Sequence, residues 1–281
     1  MIPVDFDLCR PRTLAQAVEA HLQAGREGLR PVYLGGGTEI VTLARQGLAR
    51  QGLLRPGLVI DLKLIPELRV LEMSGQKLLL GAGLDLNRLA GSGLFPLLEK
   101  VCQGVADHTV RNTITLGGNL AGSLPYREAA LPFLAAGARA LLFGPKGSRT
   151  VPLADVFRKR LLLKPAEILT GLRVGSALTR AGWYYERRTR AGRVDYPLAS
   201  ICLIRSKDRI SLSIGGAFGF PLRDLKAEAA FNDPALSREE RPEKALAALS
   251  SPPLSDARGS SAYRLALLGQ ALERGLKELG G

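Results

Sequence analysis

Apolar residues recur at near-helical spacing over residues 13–29, where Leu14, Val18 and Leu22 fall on one face. Thr13 stands in the N-cap position, and Gly25 and Gly28 mark the stop. Residues 30–34 read as a short strand that runs into Gly35-Gly36-Gly37-Thr38-Glu39, and helical periodicity returns from Ile40 to Leu48. The pattern is strand, glycine loop, helix. Runs at 58–62 and 77–83 predict strands of a second small sheet. Asp85 can cap a helix through Leu89, and residues 95–102 carry another apolar-faced helix. A second glycine loop lies within 110–121 and leads into residues 129–138, which are so uniformly apolar that their helix should be buried. A strand at 139–143, a turn at 144–147 and a strand at 167–174 complete this part.

Residues 175–182 are small and polar enough for a linker. Beyond them, 183–185, 199–205 and 209–216 predict an antiparallel sheet, with Asp208 in the last turn, and helical patterns follow at 239–249 and 261–279. Strands followed by helices make this half α+β. There is no internal repeat and no low-complexity tract.

Composition narrows the classes. The 281 residues are 46% hydrophobic and 23% charged, enough for a sizeable core in two domains. No apolar run reaches the ~18 residues of a membrane span, and the first residues lack the basic start and apolar stretch of a signal peptide, so a cytoplasmic protein is expected. Cys9, Cys102 and Cys202 are far apart and His21 and His108 are the two histidines. Such a set cannot build a zinc or iron–sulfur site, so the cysteines are expected to be buried thiols, and any electron traffic requires an organic cofactor. The net charge is +13, its basic residues scattered over arginine-rich stretches of which Arg158-Lys159-Arg160 and 186–190 are the densest. Solvated arginine-rich faces are the first reading, a docking face for an acidic partner the second. Nucleic-acid binding comes third because stacking aromatics are sparse.

The candidate chemistry lies in the two glycine loops. A dinucleotide's diphosphate is bound economically by backbone N–H groups in tight loops, where glycine lets the chain approach closely. The GxGxxG spacing is absent around both loops, which excludes a nicotinamide-binding Rossmann domain.

At the level of residues, Tyr33-Leu34-Gly35-Gly36-Gly37-Thr38-Glu39-Ile40 resembles the first FAD loop of the molybdenum hydroxylase flavoproteins, the family of the xanthine dehydrogenase and carbon monoxide dehydrogenase medium subunits. Arg111-Asn112-Thr113-Ile114-Thr115-Leu116-Gly117-Gly118-Asn119 resembles the second. Pro125 and Glu128 follow at the family's spacing, and Arg258-Gly259-Ser260-Ser261-Ala262-Tyr263-Arg264 resembles the element that opens the final helix. The resemblance implies an α+β, two-subdomain FAD-binding fold of the PCMH type, vanillyl-alcohol-oxidase-like, over residues 1–176, with subdomains at about 1–55 and 56–176. A small α+β domain with a three-stranded antiparallel sheet and helices follows over 180–281.

By the same resemblance, the cofactor is FAD. Leu34, Gly35, Gly36, Gly37, Thr38, Glu39 and Ile40 would wrap the diphosphate, and the Thr115 hydroxyl with the amides of Gly117, Gly118 and Asn119 would hold it from the other side. Glu128, where the family usually has Asp, would lie on the ribityl or ring side, and Leu169 near the isoalloxazine. A basic position of some animal relatives is Glu186 here and their stacking aromatic is Val105, so neither contact carries over. No catalytic residue and no metal site is implied in this chain. The implied partners are a small subunit with 2Fe-2S clusters and a large molybdopterin subunit, with NAD+ as the acceptor and an N-heterocycle as the complex's substrate. The competing readings are a stand-alone FAD oxidoreductase of the same fold and a basic binding protein without redox function.

Overall fold

The computed structural model describes residues 5–45, 57–192 and 194–280. Along the chain, β1 (Asp7–Cys9), α1 (Leu14–Arg26), β2 (Pro31–Leu34), α2 (Thr38–Arg45) and β3 (Leu58–Asp61) build a first layer. A second comprises β4 (Leu71–Ser74), β5 (Lys77–Gly81), α3 (Leu86–Ala90), α4 (Pro96–Gly104), α5 (His108–Arg111), α6 (Leu116–Ala121) and α7 (Ala130–Ala135), then β6 (Arg139–Gly144), β7 (Gly147–Pro152), α8 (Leu153–Val156), β8 (Ile168–Gly175) and α9 (Ser176–Thr179). The last part holds β9 (Gly182–Thr189), β10 (Pro197–Ser206), β11 (Arg209–Gly215), α10 (Leu225–Phe231), α11 (Glu240–Ala247) and α12 (Ser261–Glu278).

Three sheets result: a parallel β1-β3-β2, an antiparallel β4-β5-β8-β6-β7, and an antiparallel β11-β10-β9. The α+β architecture and the three-stranded C-terminal sheet agree with expectation. One predicted strand belongs to a different sheet. Residues 58–61 pair in parallel with Asp7–Cys9 and with Pro31–Leu34, not with residues 77–81. Periodicity identifies a strand but not its neighbour, and parallel pairing through a crossover leaves no local turn to read. Thr13 caps α1, its side chain accepting from the Gln16 amide at 3.2 Å. The continuation of α2 to Leu48 falls outside the described residues. Cys102 and Cys202 are buried free thiols whose pKa values burial pushes up, whereas Cys9 is only half-buried. Among the described residues no helix is long and apolar enough to cross a membrane.

Strand β10 holds the two halves together because both its faces are covered. Cys202 and Ile204 join the core beneath α4 and α7, while Ala199, Ile201 and Leu203 face the core of the C-terminal helices. That period of two reads as a continuous apolar run, as expected of a strand buried on both sides. Strand β9 alternates in the same way. Tyr185 and Arg187 reach Glu128, whereas Tyr184 and Glu186 turn toward α12, where Arg274 donates to Glu186 at 2.6 and 2.8 Å.

Burial opposes ionisation of Glu186, but hydrogen bonds from Arg274, Tyr184 and Arg188 outweigh it and bring its pKa down to about 2. A depressed carboxyl contributes stability above its ordinary value near 4.5, and that contribution is lost as pH falls through about 2. Glu186→Gln should therefore be less stable than wild type at pH 7, with the gap closing between pH 4.5 and 2. Denaturant midpoints measured across that range test this, and parallel pH profiles for the two proteins would refute it.

The C-terminal motif also has a mechanical role. Ser260 caps α12, accepting from the Tyr263 amide at 3.2 Å. Arg264 is fully buried and donates to the carbonyls of Leu198 (3.1 Å) and Gly216 (2.8 Å) and to Asp256 (2.7 Å), tying the ends of β10 and β11 to the loop before the helix.

Candidate functional site

The two glycine loops meet. Gly35 lies so close to the second loop that a Cβ there would sit 2.6 Å from Thr115 Oγ1, and one on Gly36 would overlap the carbonyl of Thr113. Gly37 adopts φ +77°, a left-handed conformation that glycine takes without strain. Beneath the loop, Lys63 donates to the Gly35 carbonyl at 3.4 Å and pairs with Asp61 at 2.7 Å. At the back, the Tyr33 hydroxyl donates to the Ala166 carbonyl at 3.1 Å, anchoring β2 to the second layer.

Between the loops runs a cleft of about 610 Å³. Among the residues expected from the sequence, Gly35, Gly36, Gly37, Thr38, Glu39, Ile40, Thr115, Gly118, Asn119 and Glu128 line it. Leu34, Gly117 and Leu169 do not. Leu34 packs behind Gly37, Gly117 rests on Ala82, and Leu169 is buried in β8.

Backbone amides divide sharply between the loops. The N–H groups of residues 35–40 have no acceptor among the described residues, the first internal bond of α2 being Val41 N–H to the Gly37 carbonyl. These orphan donors sit at a helix N-terminus, where the dipole favours an anion. In the second loop the amides are already committed. Gly117 donates to the Ala82 carbonyl (2.7 Å), Gly118 to Thr115 Oγ1 (3.1 Å) and Asn119 to the Thr115 carbonyl (2.8 Å). Beside these committed amides the loop also carries side-chain donors. The Thr115 hydroxyl proton and the Asn119 amide nitrogen have no protein acceptor among the described residues, while Asn119 Oδ1 accepts from the Ala129 amide at 3.2 Å.

The Arg-Asn pair ahead of this loop is its scaffold. Arg111 donates to the carbonyls of Val105 (3.1 Å) and Ala106 (2.9 Å) and to Asn87 (2.9 Å), and Asn87 in turn donates to Asn112 at 2.6 Å. This clamp holds Ala106 at φ +49°, unusual for a residue with a side chain, on the cleft wall beside Val105. Glu39 is likewise structural, accepting from the backbone amide (2.6 Å) and hydroxyl of Ser123 and so clipping α2 to the segment after the second loop.

At the other end, Glu128 is only 2% exposed and receives hydrogen bonds from Arg187 Nε (3.0 and 3.1 Å), Ser200 (2.8 Å) and Tyr185 (3.3 Å). Burial raises its pKa, opposed by Arg187 and these hydrogen bonds. Nearby, Tyr126 and Tyr196 stack with centroids 4.4 Å apart, and Arg258 pairs with Asp195 at 2.6 Å. Arg127, Arg187, Asp195, Tyr126 and Tyr196 all line the cleft without having been singled out from the sequence. Arg187 was legible only as part of a basic run, and the alternation of β9 separates it from Glu186. His108 is exposed at the start of α5 and does not line the cleft.

These features fit a dinucleotide: an orphan amide row, glycines where a Cβ would close the cradle, and a cleft with both apolar and charged walls.

Residues 4–176 match the family described as the FAD binding domain in molybdopterin dehydrogenase. The chain is 28% identical to the carbon monoxide dehydrogenase medium chain of Hydrogenophaga pseudoflava, covering 98% of this chain and 97% of that one. It is 32% identical to the nicotine 6-hydroxylase medium subunit of Paenarthrobacter nicotinovorans, covering 79% and 82%. The fold superposes on a solved carbon monoxide dehydrogenase from Hydrogenophaga pseudoflava, one that lacks the Mo-pyranopterin moiety of its cofactor. The TM-score is 0.87 at 28% identity, covering 100% of this chain and 99% of that one.

Proposed function

The chain belongs to the family of FAD-binding domains in molybdopterin dehydrogenases, and from that premise we propose that it is the electron-relay subunit of a three-subunit molybdenum hydroxylase. In this reading it takes electrons from the 2Fe-2S clusters of a small partner and passes them to NAD+ or another soluble acceptor, while a large molybdopterin subunit oxidises the substrate. Residues 1–176 form the cofactor unit and 180–281 close it. FAD supplies one- and two-electron redox chemistry, and the protein supplies binding and orientation.

The amides of residues 35–40 would receive the diphosphate, with the Thr115 hydroxyl and the Asn119 amide on the facing loop. Leu34 and Gly117 back these loops from behind, and Leu169 is buried in β8. Val105, Ala106 and Val110 give the cleft an apolar wall, and the Glu128–Arg187 pair fixes the charge at that end. No side chain of this chain has to move a proton. The substrate is chosen elsewhere in the complex, since similar medium chains serve complexes named for carbon monoxide and for nicotine.

The observation that carries this reading is the convergence of two loops on one cleft with the orphan amides of residues 35–40 on one wall. The purified chain should take up one FAD and show flavin absorption bands, and the dithionite-reduced complex should reduce NAD+. A chain that stays colourless in excess FAD would refute the cofactor role. A flavin-loaded complex that reduces dyes but not NAD+ would refute the acceptor.

A further inference from the structure

Arg127 is a buried cation with no assigned role. It is only 3% exposed, yet it lines the cleft. Its guanidinium lies over the Phe157 ring, 5.1 Å from the centroid, and Nη2 donates to the Lys159 carbonyl at 2.6 Å. Nε and Nη1 are buried with no acceptor. Among the described residues no carboxylate pairs with it. Glu39 is close enough for its charge to be felt, but its carboxylate is engaged by Ser123.

A buried cation without a counter-ion is unfavourable, and donors held flat by a ring and a carbonyl cannot turn away to find one. Arg127 lines the same cleft as the orphan amides of residues 35–40, and Glu39 in that stretch is the carboxylate whose charge it feels. An anion at the first loop would satisfy both sets of donors. We infer that the free Nε–H and Nη1–H of Arg127 bind a diphosphate oxygen of the dinucleotide, making Arg127 a cofactor-affinity residue. This rests on the reading of the chain as an FAD subunit. It adds a charge-assisted contact to an otherwise uncharged cradle of backbone amides and the Thr115 and Asn119 side chains.

The test uses the full chain stripped of flavin, as wild type and as Arg127→Met. Calorimetric titration with FAD should give an affinity weakened at least about tenfold in R127M, the factor carried by a charge-assisted hydrogen bond. At saturating FAD, the phosphorus resonances of the bound diphosphate should move relative to wild type. The flavin-free variant should still melt cooperatively, because the guanidinium is under-satisfied in the empty fold. Affinity within twofold of wild type would overturn the inference. So would unmoved phosphorus resonances, which would place the arginine at another part of the cofactor, or an R127M chain that cannot fold without flavin. A wild-type chain that takes up no FAD would instead remove the functional reading beneath it.

Discussion

Gly36→Val is expected to yield a folded chain that purifies without flavin and binds added FAD between about 10- and 100-fold more weakly than wild type, the range set by overpacking against a neighbour that cannot yield. A side chain at Gly36 would overlap the Thr113 carbonyl, which is backbone and cannot rotate aside. The overlap is relieved only if the loops separate, and their separation is what sets the width of the cleft. Gly25, where nothing lies within 4 Å of an added Cβ, provides the control. Gly25→Ala lies within α1 and should leave FAD affinity unchanged. Flavin absorbance per protein and the calorimetric Kd measure both. A yellow G36V chain with wild-type affinity would mean that the loop contact does not govern binding.

Glu128→Leu should lower stability by about 3–5 kcal/mol, the usual consequence of removing one member of a buried ion pair. Arg187, Ser200 and Tyr185 all direct donors at this carboxylate from β9 and β10, so its loss removes the acceptor of Arg187 Nε and of two hydroxyls between the halves of the molecule. Glu128→Leu combined with Arg187→Met should recover part of that loss, because an apolar pair needs no desolvated charge. Urea unfolding of wild type, the single variant and the double variant measures the three states. A single variant as stable as wild type would show that the pair contributes nothing to holding β9 against the cofactor half.

Local patterns carried much of the fold. The strand, glycine loop and helix around residues 30–45 were legible because periodicity changes from two to 3.6 across Gly35–Gly37, and because glycine is needed where φ reaches +77°. The apolar run ahead of β6 was legible as buried, and every residue of α7 is. Short polar edge strands such as β4 and β7 escaped notice because they bury little and so show little alternation.

The binding site divides differently. The sequence alone determined that two glycine loops exist, that neither has Rossmann spacing, and that no cluster ligands are present, because these are matters of residue type and spacing. Only the tertiary structure decided which groups in those loops are free. Among the described residues the amides of residues 35–40 lack partners, while those of Gly117, Gly118 and Asn119 are taken by Ala82 and Thr115. Tertiary packing likewise turned Arg187 toward the cleft and Glu186 away from it, from one charged stretch, and brought Arg127 to the cleft wall. A hydrogen bond's availability depends on which distant atoms arrive beside it, and that information lies in the packing of three sheets rather than in any one segment of chain.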